Sequence, residues 1–159
     1  MRVSVIAVGK LKEKYLLEAQ REYLKRLRPY ARMEITEVAD ESCGEKDPES
    51  ILEKVKIKEG QRIIKALKPD SFIIALDRQG QEIDSESLAR KVSDLSLQGK
   101  SYITCVIGGS LGLSGQVLQQ ADWKLSFSRL TFPHQLMRVI LLEQIYRCFK
   151  IIRHEPYHK

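Results

Sequence analysis

The segment Tyr102-Ile103-Thr104-Cys105-Val106-Ile107 runs directly into Gly108-Gly109-Ser110-Leu111-Gly112-Leu113-Ser114-Gly115, and this junction decides how the rest of the chain is read. Six mostly apolar residues have the length of a buried strand. Four glycines in the next eight residues let a backbone approach a ligand where a Cβ would collide. A second short strand over residues 123–127 gives way to Ser128-Arg129-Leu130-Thr131-Phe132-Pro133-His134, ahead of a long apolar helix. Two such loops at strand ends are where an α/β sheet holds a nucleotide-like molecule. The glycine loop is no P-loop, because no Gly-Lys-Ser/Thr closes it. Nor is it the dinucleotide fingerprint, since Ser110 stands in the place of the second glycine.

Toward the N-terminus, residues 3–8 read as a buried strand followed by Gly9. Leu16, Ala19, Tyr23, Leu24 and Leu27 then recur at helical spacing until Arg28-Pro29. Residues 32–39 form a weaker strand, and the polar, aperiodic run 40–46 a loop. Asp47 is expected to cap a helix with Pro48 at its first position, stopped by Lys68-Pro69. Residues 72–76 make a further strand with Asp77-Arg78-Gln79-Gly80 as its turn. Ser85 is the expected cap of a helix carrying Leu88, Val92 and Leu95, with Gly99 just past its end. Strands alternate with helices from end to end, which implies an α/β fold with a mainly parallel sheet and helices on both faces. At 159 residues and 43% hydrophobic content the chain suits one domain over residues 1–159.

The final helix, from Pro133, carries Leu136, Met137, Val139, Ile140, Leu141, Leu142 and further apolar residues at nearly every angle around its axis. A surface helix shows one apolar stripe; this one needs cover on most sides, and a second protomer is the expected source. Of the net charge of +6, residues 124–159 carry +5, and a basic excess beside a suspected site favours nucleic acid as partner. The apolar runs are too short to span a bilayer, and the first residues read as a strand and not as a leader. Cys43, Cys105 and Cys148 show no paired spacing, and Cys105 and Cys148, set among apolar residues, are expected to be reduced core thiols of a cytoplasmic protein.

Ala75-Leu76-Asp77 with Gly80, Ile107-Gly108-Gly109, the run from Leu125-Ser126 to His134-Gln135, and the terminal Pro156-Tyr157-His158-Lys159 resemble one family throughout. That family is ribosomal RNA large subunit methyltransferase H, within the SPOUT methyltransferases. The resemblance implies a homodimer with a C-terminal trefoil knot and S-adenosylmethionine as methyl donor, without a metal. It implies methylation of N3 of a pseudouridine in 23S ribosomal RNA, in the assembled ribosome. It also implies that Leu76, Gly108, Phe127, Ser128, Arg129, Leu130, Thr131 and Phe132 surround the cofactor. A tRNA methyltransferase of the same fold and a non-catalytic ribosome-assembly protein that binds RNA are the alternative readings.

The acceptor N3–H is a weak acid, so a nearby base, or a cation favouring the anion, should assist transfer. Candidates are His154, Tyr157, His158 and Arg153 of the tail, with His134 at the start of the last helix; histidine titrates near neutrality. Arg129, His134, Arg138 and Lys159 are the candidate RNA contacts, Arg153 a further phosphate contact, and Tyr157 can serve as a stacking platform for a splayed base. His154-Glu155-Pro156-Tyr157-His158 matches H-E-x-x-H, but that zinc motif needs both histidines on one continuous helix, which Pro156 disfavours.

Overall fold

Alternation within β1 (Arg2–Val8) sorts two layers of helices. Val3, Val5 and Ala7 belong to one core cluster, and Ile6 and Val8 to the other. The computed structural model describes residues 1–44 and 46–157. The chain continues through α1 (Lys14–Leu27), β2 (Arg32–Val38), α2 (Glu49–Ala66), β3 (Phe72–Glu82) and α3 (Ser85–Leu97). It ends with β4 (Tyr102–Ile107), α4 (Gly115–Gln120), β5 (Trp123–Ser126) and α5 (His134–Ile152).

The five strands form one sheet in the order β2-β1-β4-β3-β5, with every pairing parallel. Parallel strands require helical crossovers, and these bury the sheet on both faces. Leu27 of α1, Leu88 and Val92 of α3, and Leu141 and Leu142 of α5 cover one face. Ile63 of α2 and Val117 of α4 cover the other. Cys105 and Cys148 lie inside the first layer, and burial pushes both thiols up to about 12, so neither is a reactive thiolate near neutral pH.

Three local expectations are corrected. β3 does not turn at Asp77–Gly80; it runs on to Glu82, with a register shift against β5 between Leu76 and Gln81. Gly80 permits this, because a Cβ there would lie 2.7 Å from the Lys124 carbonyl. The cap of α3 is Asp84, which accepts the Ser87 N–H at 2.7 Å, and Ser85 is already helical. Asp47 does not cap α2: its carboxylate accepts the Gly44 N–H at 2.7 Å, and Pro48 takes the cap position.

Helix α5 ends by a Schellman closure. His154 adopts φ +54°, its N–H donates to the Ile151 carbonyl, and the Glu155 N–H reaches back to Lys150. His154 is therefore a left-handed terminator, and no helix continues through the H-E-x-x-H string. His158 and Lys159 lie outside the described residues.

Candidate active site

Parallel strands point their C-terminal ends the same way, so the loops after β1, β3, β4 and β5 share one edge of the sheet. A cavity of about 550 Å3 opens there, within the size range of small-molecule sites. It is walled by Leu76 and Gln79 from β3, the loop 108–113 after β4, and residues 127, 128 and 130–132 after β5. His134 and Met137 at the start of α5 line it as well. Leu76, Gly108, Phe127, Ser128, Leu130, Thr131 and Phe132 all border this space.

Arg129 does not. Its guanidinium side chain is 91% exposed, 3.4 Å from Glu82, and borders a neighbouring depression with Arg78 and Gly80. The loop bends at residues 129 and 130, and Arg129 turns outward toward Glu82 while Leu130 and Thr131 adjoin the cavity.

Glycine at 108 and 109 has a specific cause. A Cβ on Gly108 would sit 2.6 Å from the Gly112 backbone, so this residue lets the loop fold back on itself. A Cβ on Gly109 would meet the Glu59 carboxylate at 2.8 Å. Gly112 has φ +82° with open space around its missing side chain. The second loop is fixed by Ser126 Oγ donating to the Ser128 carbonyl at 3.1 Å and Leu130 N–H donating to Ser128 Oγ at 3.0 Å. Arg78 Nη1 then donates to Thr131 Oγ1 at 2.8 Å, tying this loop to β3.

His134 stands where the edges of β1 and β2 meet α5. Its Nε2 is 3.6 Å, and the Asp40 carboxyl carbon 3.8 Å, from the point where a Cβ of Gly9 would be. Burial and the nearby Arg138 hold its pKa below the ordinary histidine value, with Asp40 opposing. It is a neutral imidazole near pH 7, able to accept a proton.

Arg138 is corrected as an RNA contact. It is fully buried, and its Nη1 donates to Glu37 Oε1 at 2.5 Å and its Nη2 to the Gly9 carbonyl at 2.8 Å. An enclosed guanidinium with two such acceptors ties β1 and β2 to α5, and has no path to a phosphate.

The tail candidates lie elsewhere on this chain. The Tyr157 hydroxyl donates to Glu143 Oε1 at 3.2 Å, and the ring stands edge-on to Tyr146 at 4.9 Å. Arg147 lies 4.8 Å over the Tyr157 ring. Burial, with Tyr23 and Glu143 beside it, pushes the Tyr157 hydroxyl up to about 12. Arg153 lies 4.7 Å over Tyr30 and donates to the Pro29 carbonyl at 3.3 Å; His154 is exposed. Arg153 and His154 follow the last turn of a 19-residue helix whose first residue lines the cavity, a separation of roughly 28 Å along its axis, whereas Tyr157 folds back to the level of Glu143, roughly 14 Å along the axis from that first residue.

Two residues that sequence reasoning missed support the site. Arg78 secures the second loop. Glu59, 4% exposed, lies behind Gly109: its Oε1 accepts the Glu41 N–H at 3.0 Å, and its Oε2 has no hydrogen-bond partner among the described residues. The available signal for Glu59 was its neighbour Gly60, a glycine inside a helix. A Cβ on Gly60 would strike Ser114 Oγ at 2.2 Å, so α2 presses against the end of the glycine loop.

Taken together, the parallel sheet in this order and the two-loop cavity at its C-terminal edge define a domain of the SPOUT methyltransferase class. The sequence profile described as "Predicted SPOUT methyltransferase" matches residues 1–158. The chain belongs to the ribosomal RNA large subunit methyltransferase H family of that class. It is 57% identical over 159 residues, covering both chains in full, to a protein named ribosomal RNA large subunit methyltransferase H from Carboxydothermus hydrogenoformans. It is 54% identical over the same span to the namesake from Bifidobacterium adolescentis, again covering both in full. A solved structure described as a probable methylase family protein from Haemophilus influenzae Rd KW20 shares the fold, with a TM-score of 0.53 and 14% identity, over 96% of this chain and 66% of that one. Among the described residues no helix is long and apolar enough to cross a membrane.

Proposed function

We propose that this chain methylates N3 of a pseudouridine in 23S ribosomal RNA, using S-adenosylmethionine. It would act on the assembled ribosome in the cytoplasm, as a homodimer whose C-terminal segment is threaded as a trefoil knot. The observation that carries this reading is the cavity walled by both strand-end loops, in a chain of this family.

The cofactor fits the residues present: Leu76, Leu118, Phe127 and Phe132 offer apolar faces to a flat base, and the backbone of both loops offers hydrogen-bonding edges. When bound, it supplies a methyl group already activated on a sulfonium. The chain's part is then orientation, exclusion of water and disposal of one proton. His134 borders the cavity as a neutral imidazole and can take the N3 proton, with the Asp40 carboxylate nearby favouring the imidazolium that results. Tyr157, with its hydroxyl at about 12, serves as a donor or stacking platform and not as the base. His154 and Arg153 lie too far along α5 to meet the cavity of their own chain, and Tyr157 is held against Glu143 and Tyr146 of its own helix. They complete a site only by reaching the cavity of a second copy.

Purified protein incubated with methyl-labelled cofactor and intact ribosomes should place label on one pseudouridine of 23S RNA. Label in transfer RNA alone would overturn the substrate assignment. Absence of cofactor binding by calorimetry would favour a non-catalytic RNA-binding protein.

A further inference from the structure

The loop that leaves β1 lines no part of the cavity. Gly9-Lys10-Leu11-Lys12-Glu13-Lys14-Tyr15 carries three lysines and one glutamate, and it lies outside the basic segment that dominates the chain's net charge. Gly9, at φ +79°, turns the chain out of the sheet, and Leu11, nearly buried, pins the loop to the body. Lys10, Lys12, Lys14 and Tyr15 all remain exposed. The loop is not adrift: the Lys12 N–H donates to Gln135 Oε1 at 3.0 Å, next to the cavity residue His134.

Tyr15 is 66% exposed, although it belongs to a helix whose neighbouring Leu16 is buried. It has no ring partner among the described residues. Lys14 has only Glu18 at 3.9 Å, with its side chain 90% exposed, a pair that contributes little. A large aromatic ring left in water beside three cations is what a stacking and phosphate-neutralising surface requires.

Its place on the sheet edge gives the partner. In the strand order, the β4 loop lies between the end of β1 and the ends of β3 and β5. Lys10, Lys12 and Lys14 therefore flank the glycine loop on one side, and Arg78 and Arg129 on the other. We propose that the segment Lys10–Tyr15, the β1 loop with the first two residues of α1, is an RNA-docking element, its lysines neutralising phosphates and Tyr15 stacking on an unpaired base next to the target nucleotide. This rests on the proposed action on ribosomal RNA, and names the surface that would grip it.

The test compares the wild type with a triple Lys10→Gln, Lys12→Gln, Lys14→Gln variant and with Tyr15→Ala and Tyr15→Phe. Binding to purified large ribosomal subunits is measured by filter retention across a salt series, and S-adenosylmethionine affinity by calorimetry. The triple variant should bind subunits at least about tenfold more weakly, and its log–log salt slope should fall by about 2. Tyr15→Ala should weaken binding about fivefold or more, and Tyr15→Phe should restore most of it. Cofactor affinity should stay unchanged in all of them, because none lines the cavity. Unaltered subunit affinity and slope in correctly folded variants would overturn the proposal. So would a loss of dimer by light scattering, since the face would then belong to a second copy. Failure of the wild type itself to bind subunits or cofactor would instead strike the functional reading.

Discussion

The two ends of α5 handle positive charge in opposite ways. At the cavity end, Arg138 is enclosed, bonded to Glu37 and the Gly9 carbonyl, with its exposed surface reduced to nothing. At the tail end, Arg147, Lys150 and Arg153 lie over the rings of Tyr157, Tyr146 and Tyr30 at 4.8, 5.9 and 4.7 Å. Lys150 also donates to Glu155 at 2.6 Å. One end uses an arginine as an internal strut; the other builds a half-exposed shelf of cations and aromatic rings. A tally of basic residues therefore overstates the free positive surface of the C-terminal third. It understates the exposed charge of the β1 loop, where among the described residues Lys10 and Lys12 have no such partner and Lys14 only Glu18 at 3.9 Å.

The sharpest way to break the contrast is to remove one arginine at each end. Arg138→Met should destabilise the fold by about 3 kcal/mol, because Glu37 and the Gly9 carbonyl lose their donors in a closed site. Arg153→Met, at an exposed cation–π contact, should cost under about 1 kcal/mol. Urea unfolding of both variants decides it, and equal losses would mean that the two ends are not distinct in kind.

Next in size is the glycine loop. Gly108→Ala sets a Cβ 2.6 Å from the Gly112 backbone. The loop must then shift, and cofactor affinity should fall about tenfold or more. Gly112→Ala meets no neighbour but must hold φ at +82°, a strain of about 1 kcal/mol, and should weaken binding less. Calorimetry that ranks them the other way would show that conformational strain and not the backbone clash controls the loop. Mixing Gly108→Arg protein with Tyr157→Ala protein tests whether the distant ends of α5 meet across two copies. Random re-pairing should restore about a quarter of wild-type activity, and no recovery would place the tail in its own chain's site.

Much of this was legible in the sequence because hydrophobic period and glycine position are local. The β4 strand, the two loops after it and the all-round apolar α5 were readable from neighbouring residues. The errors fall where a distant segment decided the outcome. Nothing around Arg138 announces that Glu37, 101 residues away, will bond it. Nothing near Gly80 shows that β5 will run alongside and draw β3 on to Glu82. Ser85 and Asp84 are both good caps, and only the geometry of the turn selects Asp84. Arg129 sits in the cofactor loop by sequence, but its side chain lies by Glu82, 47 residues away, outside the cavity.

The smallest expected effect is also the most diagnostic of how the glycine loop is backed. Burial is the main cause that raises the Glu59 carboxyl above the usual carboxylate range; Asp40 and Glu41 add to it, while the Glu41 N–H and Arg62 oppose it. The folded state therefore binds that proton more tightly than the unfolded chain. Its contribution to stability is complete below the unfolded value near 4.5 and is lost as pH rises through the higher folded value. Glu59→Gln keeps an oxygen for the Glu41 N–H but cannot ionise. Its stability relative to wild type should rise with pH above about 4.5, with cofactor affinity changed less than by Gly108→Ala. Denaturation curves at several pH values supply the measurement. If the two proteins run parallel from acid to neutral pH, Glu59 is ionised to the same extent folded and unfolded, and its unpaired oxygen is stabilised by a donor that approaches behind Gly109.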